Sequence, residues 1–359
     1  MRKSSGLGGA TAALLAIAMA TAPMQAADAC SRALYVGVDN QIITTRSNDW
    51  LGSQKSNLWI YPRGMKRVGD KAPGAIEWTS KYGSVTVAGW DIATIDAFNE
   101  KGLSANGLYL AEADYGKPAA NDPRKPMSLT AWVQYAVDNF ATVAEAVAAL
   151  RKEPFYIVAL ELPGGLKGTA HLSLSDASGD SAVFEYVGGK LNIYHGRQYK
   201  VMTNSPTFDR QLGLNGYWEE VGGSTFLPGT NRASDRFVRA TYYLESVKKP
   251  ENDEAAIATA LSVIRNVSVP LGITTPGQPN VAATQWRTMS DHKNMVYFFE
   301  SPSSPYLIWV DLKKTDFSPG APVRKLTLTD DSVPLADGKF LSGEVSTHFK
   351  PAKAFQFGH

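Results

Sequence analysis

Residues 30–50 read CSRALYVGVDNQIITTRSNDW, and this stretch decides how the rest of the chain is understood. Ala33–Val38 and Gln41–Arg46 are apolar, β-branched segments on either side of Asp39-Asn40, a pair suited to a tight turn, so they predict a β-hairpin. Directly before the hairpin stands Cys30, the one cysteine among 359 residues. A single cysteine excludes an intrachain disulfide framework and every multi-cysteine zinc or iron–sulfur arrangement. The five histidines are scattered without the spacing of a metal-binding helix, so no metal and no cofactor is expected. A formal charge of +2 gives no electrostatic case for nucleic acid.

What precedes Cys30 looks like an address. Arg2 and Lys3 open the chain, Ala12 to Ala20 is continuously apolar, and Pro23 breaks the run. Basic start, short apolar stretch and small-residue cleavage site are the parts of a secretory signal peptide, expected over residues 1–29. The apolar run is too short to span a bilayer, which takes about 20 residues. Cleavage fits after Ala26 or after Ala29; the second makes Cys30 the first residue of a mature, periplasmic chain. A lipoprotein cysteine acylated as a membrane anchor is the competing reading. Ala27 and Asp28 stand where such sites usually carry Leu and a small residue.

Beyond the hairpin, short β-rich segments continue at Asn57–Pro62, Ala75–Ser80, Ser84–Gly89, Ala93–Phe98 and Leu108–Ala111. A helical pattern runs from about Leu129 to Arg151, and Thr142 with Glu145 reads as a capping box that divides it near Ala141. Strands follow at His171–Leu174, Ala182–Tyr186, Leu191–His195 and Lys200–Thr203. Two further helices are expected, one from Ser234 as N-cap to about Val247 and one from Asp253 to about Val267. Strands at Asn280–Thr288, Met295–Glu300 and Tyr306–Asp311 come last. Hairpin connections rather than regular βα alternation predict an α+β layered domain with antiparallel sheets, residues 30–359 forming one unit.

If cleavage exposes Cys30, one residue carries both a thiol and a free α-amine. An α-amine titrates near neutrality, at about 7.7–8.0, and can take the thiol's proton, replacing the histidine of a Cys–His pair. No G-x-S-x-G, G-x-G-x-x-G or P-loop is present, so serine-hydrolase, dinucleotide and nucleotide-hydrolase readings lack their signatures.

Four blocks behind Cys30 carry a resemblance. They are Arg46-Ser47-Asn48-Asp49-Trp50; Asn99-Glu100-Lys101-Gly102-Leu103 leading to Gly107-Leu108-Tyr109; Thr203-Asn204-Ser205-Pro206-Thr207-Phe208-Asp209; and Leu227-Pro228-Gly229 with Ser234-Asp235-Arg236-Phe237-Val238-Arg239. In that order the chain resembles the choloylglycine hydrolase family, N-terminal-nucleophile amidases that include penicillin V acylases and bile salt hydrolases. The resemblance implies a four-layer αββα sandwich and hydrolysis of a linear N-acyl amide. Cys30 would be the nucleophile, Arg46 a cation near the thiol, and Asp49 an acceptor for the α-amine. Asn204 would be an oxyanion donor and Arg236 a stabiliser of charge at the acyl centre. Tyr109 stands where penicillin V acylases tend to carry Tyr and bile salt hydrolases Asn. Taken alone, Asn204 also suits an Asx turn, Arg236 a surface ion pair and Tyr109 ordinary strand packing.

The connection from Asn204 to Arg236 is short. The likeness is therefore to the Gram-negative branch, without the loop that assembles tetramers in many other members; self-association by other means stays open. Trp50, Tyr109 and Tyr115 are candidates for an aromatic acyl pocket. A penicillin V-type amide ranks first as substrate, then an acyl-homoserine lactone, then a conjugated bile salt. A binding or scaffold protein anchored through a lipidated Cys30 is the alternative from another class.

Overall fold

The Cys30 hairpin forms as the sequence predicts. Strand β1 (Ser31–Val36) pairs antiparallel with β2 (Ile42–Trp50), Arg32 opposite Arg46 and Val36 opposite Ile42. Asp39 and Asn40 turn the chain with φ of 48° and 60°, left-handed backbone that short polar side chains tolerate. This computed structural model describes residues 30–162, 166–222, 225–273 and 282–358. The expected leader lies outside the described residues, as do Asn280 and Val281 of the strand expected there.

In chain order the strands that build the core are β3 (Asn57–Tyr61), β4 (Ser84–Gly89), β5 (Ala93–Asn99), β6 (Ser104–Tyr109), β7 (Ala170–Ser175), β8 (Ser181–Val187), β9 (Lys190–His195), β10 (Val201–Met202), β11 (Ala283–Asp291), β12 (Val296–Glu300), β13 (Leu307–Asp311), β14 (Arg324–Thr327), β15 (Gly343–Glu344) and β16 (Lys350–Pro351). One sheet has the order β10-β1-β2-β11-β12-β13-β15, the other β9-β8-β7-β6-β5-β4-β3-β14-β16. Neighbours are antiparallel except β13 with β15.

The sheets face each other across an apolar layer in which Leu58, Ile60, Val85, Val87 and Phe98 meet Trp286, Tyr297, Phe299 and Ile308. Truncating one of the fully buried rings, as in Phe299→Ala, removes about 3–5 kcal/mol of stability. On the outer face of the first sheet, α4 (Ala233–Ser246) and α5 (Asp253–Asn266) bury Phe237, Leu244, Ala260 and Ile264 against Ala33, Tyr35 and Ile43. On the outer face of the second, α1 (Trp132–Asn139) and α2 (Val143–Leu150) bury Val137, Val143 and Leu150 against Ala97, Leu172 and Phe184. The result is the four-layer αββα sandwich.

Three local details refine the sequence reading. The helical stretch from Leu129 does break near Ala141. Thr142 Oγ1 accepts the Glu145 N–H at 3.2 Å, while Glu145 Oε2 accepts from Ala141 N rather than from its cap. Ser234 is no cap: α4 starts one residue earlier and its Oγ donates to Asp235 Oδ1. Asp235 Oδ2 instead accepts from Thr230 N and Oγ1 and fixes the turn before the helix. A helix α3 (Phe208–Val221) stands where none was expected, because Gly213, Gly216 and polar neighbours erase its amphipathic pattern.

Candidate active site

Strand β2 is buried along its whole length, so both of its faces do work. Alternation sends Arg46, Asn48 and Trp50 to the face that looks at the second sheet, and all three border one cavity with Cys30. Ser47 and Asp49 turn the other way. Asp49 Oδ1 accepts from Thr284 Oγ1 at 2.5 Å, Oδ2 accepts from Ser47 Oγ at 3.4 Å, and Arg236 Nη1 of α4 lies 4.0 Å from Oδ2. Burial pushes the Asp49 carboxyl up to about 6, against the pull of Arg236 and the Thr284 bond. Burial likewise lowers Arg236, which is fully enclosed, with Asp49 opposing the shift.

Cys30, 2% exposed, stands at the head of β1 between these two faces, and its atoms are individually held. Its N–H donates to Asn204 Oδ1 at 2.6 Å, and its carbonyl accepts from Arg236 Nη1 at 2.6 Å. Arg46 Nη2 points at Sγ from 3.8 Å; Asn48 Oδ1 and the Asp49 carbonyl each lie 3.9 Å from the sulfur. A fixed guanidinium beside a thiol favours the thiolate. Arg46 is itself fixed: it donates to Asn48 Oδ1 at 2.9 Å and Gly107 O at 3.0 Å, stacks on Trp286 at 4.8 Å, and sits 3.7 Å from Asp96.

Asn204 is wired on both ends of its amide. Oδ1 also accepts from Arg236 Nη2 at 3.0 Å, and Nδ2 donates to the Tyr109 carbonyl at 2.7 Å. That bond uses one of the two amide hydrogens and leaves the other for a ligand oxygen. Its backbone is clamped too. Gln211 Nε2 donates to the Asn204 carbonyl at 2.6 Å, and the His171 ring meets the Thr203 carbonyl at 2.7 Å and Glu185 at 3.0 Å.

The structure thus brings together Cys30, Arg46, Asp49, Tyr109, Asn204 and Arg236 from five separate segments. It also adds a contact the sequence did not suggest, Cys30 N to Asn204 Oδ1.

The cavity has a volume of about 100 Å³, and much of its wall is apolar: Trp50, Trp90, Ile95, Tyr109, Trp132 and Val133. Trp50 meets Trp90 and Tyr109 edge-on, ring centres 6.0 and 6.3 Å away. Trp90 holds φ at 51°, rare for a bulky side chain. Its N–H is tied to the Gln54 carbonyl at 2.7 Å, and Asp91 beside it accepts from Asn57 and Trp59. Tyr115 corrects the sequence reading. Its hydroxyl exchanges hydrogen bonds with the Ala170 carbonyl and N–H, at 2.9 and 2.8 Å, and its ring meets Tyr186. A buried phenol needs partners, and these place Tyr115 against the helical layer rather than among the cavity's lining residues. Asn48 was findable from the period of two that sets Arg46 and Trp50 on one face. Gln54, Trp90 and Trp132 carried no such signal.

Comparison with known proteins agrees with this arrangement. The sequence profile of linear amide C–N hydrolases, choloylglycine hydrolase family, matches residues 30–324. A penicillin V acylase from Pectobacterium atrosepticum is 48% identical over 350 residues, 92% of each chain. Among solved structures, a penicillin V acylase from Agrobacterium tumefaciens superposes with a TM-score of 0.83 at 52% identity, covering 91% of this chain and 99% of its own. A conjugated bile acid hydrolase from Clostridium perfringens shares the fold at 22% identity and a TM-score of 0.72, over 86% of this chain and all of its own.

Proposed function

Because the chain belongs to the choloylglycine hydrolase family of linear amide C–N hydrolases, we propose that it removes the acyl group of penicillin V-type amides through an acyl-enzyme on Cys30. The observation that carries this reading is the fixing of Cys30 at nitrogen, carbonyl and sulfur at the wall of an apolar cavity.

Signal cleavage after Ala29 turns the Cys30 N–H into an α-amine at the same place, beside Asn204 Oδ1, in a chain delivered to the periplasm. The amine takes the thiol proton, and Sγ attacks the amide carbonyl carbon. Asn204 Nδ2 and a backbone N–H receive the developing oxyanion. The C–N bond breaks as the ammonium returns its proton to the leaving amine, which leaves a thioester on Sγ. Water then gives a proton to the same α-amine as its oxygen attacks the thioester, and the thiolate regains a proton as the acid departs. Arg46 favours the thiolate, and the Asp49–Arg236 pair holds the charge around the α-amine neutral overall.

The aromatic wall suits a phenoxyacetyl group. A fatty acyl chain would find the same apolar surface, so a long-chain acyl-homoserine lactone is the second reading. Burial of Cys30 argues against a lipid anchor, which needs its sulfur at the surface.

The test is amine release from penicillin V, a long-chain acyl-homoserine lactone and glycocholate by mature protein, with Cys30→Ala alongside. Release from penicillin V and none from the variant is expected. Equal rates from both proteins, or an intact diacylglycerol-modified product, would sink the reading.

A further inference from the structure

The hydrogen bonds in the cavity wall have a direction, set by one group that can only donate. Arg46 Nη2 lies 2.9 Å from Asn48 and has no lone pair, so Asn48 presents oxygen to it. Asn48 Nδ2 therefore faces Gln54 and donates to its Oε1 at 2.6 Å. Gln54 must in turn hold its –NH2 group away from Asn48. The backbone of Gln54 is held as firmly: its N–H donates to Asp331 Oδ2 at 2.7 Å, and its carbonyl takes the Trp90 N–H at 2.7 Å. Asp331 also receives Ser56 N at 2.6 Å and is 1% exposed, so this loop cannot swing aside without stranding a buried carboxylate.

Gln54 is 3% exposed and borders the cavity beside Trp50 and Trp90. Among the described residues Nε2 makes no hydrogen bond; the bonds of Gln54 run through its Oε1, N and O. A preoriented amide thus offers donors inside a largely apolar wall. A bound ligand that covers this donor without supplying an acceptor would strand it at a cost of about 1–3 kcal/mol, so the site favours a ligand that carries one.

We propose that Gln54 is a specificity-determining residue whose Nε2–H donates to an oxygen of the acyl group, selecting acyl chains with an ether or keto oxygen close to the scissile carbonyl. The inference rests on the reading that Cys30 is acylated. Its geometry suits that reading: Asn48 Oδ1 lies 3.9 Å from Sγ and Gln54 is one hydrogen bond further on. The acyl oxygen assigned to this donor is the one two bonds beyond the attacked carbonyl carbon. Phenoxyacetyl carries an oxygen there; 3-phenylpropanoyl has the same length with a methylene in its place. Thr169, on the same cavity, has a buried hydroxyl with no partner among the described residues and is the natural contrast.

The experiment compares kcat/KM for the p-nitroanilides of these two acids in the wild type, Gln54→Glu, Gln54→Met and Thr169→Val. Glu keeps an oxygen for Asn48 and loses the donor; Met loses both. The ether oxygen also activates the carbonyl chemically, so the readout is the change in the ratio, not the ratio itself. The phenoxyacetyl preference is expected to fall about tenfold in both Gln54 variants, the equivalent of one hydrogen bond, and to persist in Thr169→Val. An unchanged ratio in the Gln54 variants, or a ratio that moves with Thr169 instead, overturns the assignment. So does joint loss of both activities in both Gln54 variants, which makes Gln54 only a support for Asn48. If the wild type cleaves neither anilide nor penicillin V, the failure belongs to the acyl-enzyme reading and the assignment falls with it.

Discussion

The two sides of the Cys30 cleft are built on opposite principles. On one side Asp49, Asn204 and Arg236 are almost fully buried, and the bonds among them leave little freedom. On the other, Trp50, Trp90, Ile95, Trp132 and Val133 meet the cavity through shape and apolar area. A hydrogen-bonded charge cluster tolerates no substitution cheaply, because each loss strands a buried partner. An apolar wall can be recontoured at the cost of fit alone. On the proposed mechanism, the first side fixes the reaction and the second fixes which amide undergoes it.

Substitutions on the two sides separate these roles. The largest effect is expected for Cys30→Ala, with turnover of penicillin V reduced at least ~10³-fold and the protein still folded, as circular dichroism would check. Residual turnover within tenfold of wild type would dissolve the distinction altogether. Next comes Asn204→Ala, expected to lower kcat by ~10²–10³ with KM little moved, since it removes a donor that matters at the oxyanion. A pure KM effect would move Asn204 to the binding side.

On the opposite wall, Trp50→Leu is expected to reorder acyl preferences by about 10–100-fold in kcat/KM while Cys30 alkylation by iodoacetamide keeps its rate. Slowed alkylation would mean that the walls are coupled.

The smallest effect is in pH. Asp49 is pushed up to about 6, so it is ionised above that pH and neutral below it. Acidification through about 6 removes the charge facing Arg236, and kcat/KM should fall along that limb. In Asp49→Asn the limb near 6 should vanish from the profile; its persistence would assign it to another group.

Legibility in the sequence followed the same division. The hydrogen-bonded side was readable because its residues sit in short, ordered motifs: the hairpin behind Cys30, Arg46 to Trp50, and Thr203 to Asp209. On the apolar side the sequence pointed to Trp50 and Tyr109, which border the cavity, but not to Trp90, Ile95, Trp132 or Val133. Tyr115 was placed in the pocket because aromatic character alone does not say which way a ring faces, and its hydroxyl chose the Ala170 backbone. Gln54 was invisible because its meaning comes from Asp331, 277 positions away, and from the amide orientation imposed by Arg46. Helix α3 escaped for a simpler reason, since two glycines and a polar surface leave no periodicity to detect.

The claim at the centre is covalent chemistry on an N-terminal Cys30. Intact and peptide-level mass spectrometry of mature protein, acid-quenched during turnover of penicillin V, tests it most directly. The account predicts a chain that begins at Cys30 and carries one phenoxyacetyl group on the peptide containing that residue. A protein that hydrolyses penicillin V with residues still attached before Cys30, or with no adduct there while Cys30→Ala remains active, would contradict it.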